Sequence, residues 1–145
     1  MNLTFETFLP LLPVGILGAT TVVVMLAIAF LRHHWWNATI TVVGLNLALA
    51  SVIALVWQGT APTAITPLLV VDNFAYFYMA LILVAALACS TLTHAFIDSY
   101  KNNREEMYLL LLIATAGALV LVCSRHMASF FIGLELMSVP VYGMV

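Results

Sequence analysis

Five apolar runs, at about 8–31, 38–57, 73–97, 107–123 and 127–145, contain no Lys or Arg and take up most of this sequence. A helix needs about 20 such residues to cross a hydrocarbon core of about 30 Å, and runs of this length fit that requirement. None alternates polar and apolar residues with the period of two that a membrane barrel strand needs. The reading is therefore all-α: a polytopic transmembrane helix bundle with five spans, forming a single membrane domain over residues 1–145. Composition agrees, because a chain that is 65% hydrophobic and 7% charged cannot cover a soluble surface. Only four Lys and Arg residues are present, against a net charge of -2, so no basic patch exists for nucleic acid.

The connections, at 32–37, 58–72, 98–106 and 124–126, are short and carry polar residues and prolines. Asn103 and Glu106, three residues apart, have the spacing of a capping box ahead of the fourth span. Basic residues are retained on the cytoplasmic side of a membrane. Arg32, Lys101 and Arg104 lie in the first and third connections, and Arg125 alone lies in the fourth. That asymmetry puts the first and third connections inside, the N-terminus outside and Val145 inside. The N-terminal segment carries Glu6 without Lys or Arg, and the first apolar run is too long for a signal peptide, so it stays as a span. The last span ends without a polar flank, which suggests that 1–145 is the N-terminal part of a longer subunit.

Cys89 and Cys123 have no CxxC spacing and fall at opposite ends of this topology, so they read as small buried hydrophobes rather than a disulfide. His33 and His34 are adjacent and point apart, so no metal site is expected there. Trp35 and Trp36 on one side, and Arg125 with His126 on the other, suit the headgroup level. Small residues four apart, Gly15 with Ala19, Gly44 with Ala48 and Ala114 with Ala118, offer places for close helix approach.

The chemistry concentrates on Glu135, in the fifth run. It lies eight residues past Met127, about 12 Å along a helix and near the bilayer midplane. An unpaired carboxylate at that depth costs roughly 2.5–3.5 kcal/mol. The carboxyl therefore either keeps its proton or ionises beside a cation on a neighbouring helix. All four Lys and Arg residues lie in connections, so that cation is not among these residues. Ser138 and Tyr142, three and seven positions on, share the helical face of Glu135, and Pro140 removes a backbone donor nearby. A structural hydrogen-bonding role and a proton pathway both fit such an acid. Two lesser candidates are Asn46, in the middle of the second span and suited to an interhelical hydrogen bond or a water wire, and His94, near the end of the third and suited to packing or proton entry.

The segments "NATITVVGLNLALAS", "TPLLVVDNFAYFY", "NNREEMYLLLLIATAGALVLV" and "HMASFFIGLELMSVPVYGMV" resemble the antiporter-like membrane subunits of respiratory complex I, the bacterial NADH-quinone oxidoreductase, most closely the subunit N family. Gly133, Leu134, Glu135, Leu136 and Ser138 match that family's fifth-helix motif. The resemblance implies that Glu135 is a proton-pathway residue paired with a lysine on a later helix. It also implies partnership with other complex I membrane subunits in the lipid bilayer of the bacterial inner membrane. NADH, flavin, iron–sulfur clusters and quinone are then held by partner subunits, with no cofactor bound by this chain. The same acid suits two rivals: a subunit of a multisubunit cation/proton antiporter or membrane-bound hydrogenase, and a structural scaffold that moves no ions.

Overall fold

In hydrocarbon, backbone amides must find partners within their own segment, and a helix satisfies them. The computed structural model describes residues 5–30, 33–59, 63–97 and 104–145. A short helix, α1 (Phe5–Phe8), runs through a 3-10 turn (Leu9–Leu11) into α2 (Leu12–Phe30). α3 (His34–Trp57), α4 (Asn73–Ile97), α5 (Arg104–Cys123) and α6 (Met127–Met144) follow. Five of these helices, α2 to α6, are long and apolar enough to cross a membrane. Pro13 sits in the first turn of α2, where a helix does not need the missing N–H.

Three boundaries depart from the sequence reading. α5 starts at Arg104, so Arg104, Glu105 and Glu106, expected in the third connection, are helical, and the two acids suit the first turn of a helix. Trp35, Trp36 and Asn37, expected in the first connection, are helical, because α3 already starts at His34. A helix need not stop where hydrocarbon ends, and exposed Trp35 and Trp36 suit the interface through which it continues. The second connection is not a plain loop. Strands β1 (Thr63–Thr66) and β2 (Leu69–Val71) form an antiparallel hairpin in the register Thr63 to Val71, Ala64 to Val70 and Thr66 to Leu69. Arg32, Lys101 and Asn103 lie outside the described residues, and with them the charge asymmetry and the Asn103 capping box.

The hairpin ties the bundle at one end. Leu68 O accepts hydrogen bonds from Arg125 N at 3.0 Å and from Ser129 Oγ at 2.9 Å. Leu69 bridges Ser124, so β2 clasps the turn between α5 and α6. At the same end Asp72 caps α4, its Oδ1 accepting from Ala75 N at 2.8 Å. Asp72→Ala should therefore lower the thermal stability of the membrane-inserted protein by about 1 kcal/mol, measured as a shift in its thermal midpoint. An unchanged midpoint would show that the cap is idle. At the opposite end, the Trp35 ring meets His94 edge to face, with centroids 5.8 Å apart, joining the start of α3 to the end of α4.

Between these ends, one stripe of each middle helix faces a shared interior. The core comprises Leu45, Ala48, Val52 and Leu55 of α3, Ala75, Met79, Leu83 and Ala86 of α4, and Leu112 and Leu119 of α5, with Leu17 and Val24 of α2. Close approach is made by glycine at two crossings. A Cβ at Gly44 would run into the side chain of Thr20, so α2 and α3 touch there. A Cβ at Gly117 would stand 2.5 Å from Met137 N and 2.7 Å from Leu136 C, the backbone of α6. Gly44 thus makes the close approach expected of it and Ala48 is buried, whereas Gly15 and Ala19 are exposed, and among the described residues a Cβ at Gly15 would meet nothing within 4 Å. Ala114 is buried, but the tight α5–α6 contact belongs to Gly117. Cys123 is buried, while Cys89, expected to be buried, lies on an exposed face of α4; both thiols are free.

Candidate functional site

α6 begins with its own cap. The His126 side chain accepts from Ala128 N, and Ser129 Oγ accepts from His126 N, both at 3.4 Å, which closes a capping box. His126, expected as a headgroup anchor, thereby also sets where α6 starts. Ser129, Gly133 and Pro140 form the buried side of α6, turned toward α5. Most of its other residues are exposed.

Glu135 is the ninth of eighteen residues in α6, at mid-span as the sequence required. Two residues beyond Gly133, it points roughly 200° round the helix from that buried side, and it is exposed on the free face of α6. It borders an open groove of about 610 Å³ between α5 and α6. Leu110 and Ile113 supply one wall, and Phe131, Ile132, Leu136, Val139 and Pro140 the other. Among the described residues, Glu135 is the only ionisable one in that lining. The arrangement is an exposed carboxyl halfway along α6, at the border of an apolar groove.

The residues expected beside it divide. Tyr142 is exposed, as Glu135 is. Ser138 is half-buried and donates to Leu134 O at 2.5 Å, so its hydroxyl is engaged with its own helix. Pro140 does not open the helix, which continues to Met144 with the proline buried. Having no N–H, Pro140 leaves Leu136 O without its usual helical donor. The Leu136–Met137 peptide is the segment against which Gly117 packs. The proline and the glycine therefore meet at one crossing, a single residue from Glu135.

Asn46 is not interhelical among the described residues: it is exposed, and its Nδ2 donates to Val42 O of its own helix at 2.8 Å. His94 meets the Trp35 ring edge to face. Among the described residues no group of three His, Cys, Asp or Glu side chains is placed to hold a metal ion. Sequence reasoning missed Gly117, since a glycine inside an apolar helix does not reveal which neighbour it serves. It also missed Asn37, which had been assigned to a connection but is fully buried inside the bundle.

No protein-family model matches the chain. Over its whole length it is 53% identical to NADH-quinone oxidoreductase subunit N of Acinetobacter baumannii (strain AB0057), covering 30% of that protein. It is 48% identical, again over its whole length and 30% of the relative, to the protein of the same name from Ectopseudomonas mendocina (strain ymp). The chain thus spans about 30% of the length of the curated relatives it matches. Among solved structures, a chain of respiratory complex I from Thermus thermophilus with bound aureothin superposes with a TM-score of 0.76 at 30% identity. That match covers 91% of this chain and 28% of the other.

Proposed function

We propose that the chain contributes five spans to the antiporter-like subunit N of a proton-pumping NADH-quinone oxidoreductase, and that Glu135 carries protons there. The observation that supports this best is 53% identity to a subunit of that name along the whole chain. The carboxyl at mid-span adds chemistry to the likeness, because acids at that depth are held by a proton or by a cation. In this reading a cation on a helix packed into the α5–α6 groove pairs with ionised Glu135. When the pair separates, the carboxyl takes a proton; when it reforms, the proton moves on. A change of charge at one end of such a relay is passed along it by the electrostatic interaction of the pair.

NADH, flavin, iron–sulfur clusters and quinone belong to partner subunits in this reading, and this chain's share is proton movement within the bilayer of the bacterial inner membrane. The three basic residues Arg32, Lys101 and Arg104 favour a cytoplasmic position for the first and third connections, with the N-terminus outside. The five spans act as one membrane domain within the larger subunit.

The assignment is tested by tagging the full-length subunit in its own bacterium. It should purify from the cytoplasmic membrane together with NADH:quinone oxidoreductase activity. Recovery in a membrane assembly that lacks this activity would overturn the reading, and accompanying hydrogenase or cation/proton antiport activity would favour the transport rival instead.

A further inference from the structure

The interior shared by α3, α4 and α5 changes character at one end. Through most of its length it is apolar, but near the start of α3 the buried stripe continues as Asn37 and Thr41, both fully buried. On α4 the stripe ends in Ser90, also fully buried, and on α5 it begins with buried Tyr108. The Trp35–His94 contact fixes the level, since Trp35 is two residues before Asn37 and His94 one turn beyond Ser90. Thr41 donates to Asn37 O at 2.8 Å. Among the described residues, neither the Asn37 amide nitrogen nor its oxygen meets a protein hydrogen-bond partner, and neither does Ser90 Oγ.

An amide left dry in such a place forfeits the hydrogen bonds it would make to water in the unfolded chain. Asn37 has two donor hydrogens and an oxygen acceptor, and Ser90 adds a hydroxyl that both donates and accepts. Buried waters typically join polar groups of this kind through about three hydrogen bonds each. We infer that this end of the α3–α4–α5 interior is a water-binding site, in which ordered water links the Asn37 amide to Ser90 Oγ. Asn37 stands three residues, about 5 Å, past the first residue of α3, and the stripe beyond Thr41 is apolar. The site is independent of the reading of Glu135, which lies on the free face of α6.

A map of the full-length subunit in its membrane assembly, at a resolution where ordered water is visible, tests this directly. Density within hydrogen-bonding distance of both Asn37 and Ser90 is expected. A dry amide, or one whose partners are side chains of residues 31–32 or 98–103, would overturn the inference. Asn37→Leu supplies a second reading by thermal midpoint in the same membranes. A lower midpoint is expected, because the bound water loses a partner; an unchanged or raised midpoint is the signature of a dry, unpaired amide and overturns it. Should that variant not assemble, the wild-type map decides alone.

Discussion

Membranes carrying Glu135→Gln in the full-length subunit are expected to translocate fewer protons per electron delivered to quinone, while electron transfer measured with an uncoupler stays close to normal. Gln preserves the size and much of the polarity of Glu135 but cannot bind and release a proton. Any transfer that passes through this position should slow at least tenfold, about 1.4 kcal/mol in the barrier. Glu135→Asp keeps the carboxyl and withdraws it by one methylene, so it should retain part of the proton flux. Proton uptake into vesicles at matched electron-transfer rates distinguishes the variants. Equal uptake by wild type and Glu135→Gln would remove Glu135 from the pathway and leave it as a structural acid on the α6 surface.

The second large effect concerns Gly117. A Cβ there would sit 2.5 Å from Met137 N, 2.7 Å from Leu136 C and 3.0 Å from Leu136 O. The obstacle is backbone, so no rotamer change can relieve it. Gly133 makes the reciprocal demand, with a Cβ only 2.9 Å from Leu121 N. Overpacking of this kind costs about 1–3 kcal/mol and sometimes more. Gly117→Ala should lower the thermal midpoint of the inserted protein, and Gly117→Leu should abolish its accumulation in the membrane. Gly15→Leu is the matched control: it adds the same side chain to an apolar span, but at a position with nothing within 4 Å of the new Cβ. Loss in both variants would point to a general intolerance of bulk, and survival of Gly117→Leu would refute the close crossing.

These two expectations came from different depths of reading. The existence of the five spans was legible because length and the absence of charge suffice to define a membrane helix. The fourth connection and the ends of α4, Asn73 and Ile97, fell where the apolar run began and ended. The hairpin was not legible: its turn, Pro67–Leu68, lacks the Asn-Gly or Asp-Gly signal of a tight hairpin, and the strands rely on Leu68 O holding Arg125 N and Ser129 Oγ. Likewise His126 has none of the usual capping side chains, and its role becomes visible only beside Ser129.

The sequence by itself determined that the chain folds as membrane helices and that Glu135 stands halfway along the last of them. Tertiary structure alone decided which side of each helix is buried. It turned Asn37 and Ser90 inward, sent Asn46 and Cys89 outward, and set Glu135 on the open face of α6. The reason is that lipid tails are as apolar as a protein core, so hydrophobicity cannot mark the inner face of a membrane helix. Facing is fixed instead by where backbones can come together, and here that is where Gly44 meets Thr20 and Gly117 meets the Leu136–Met137 peptide.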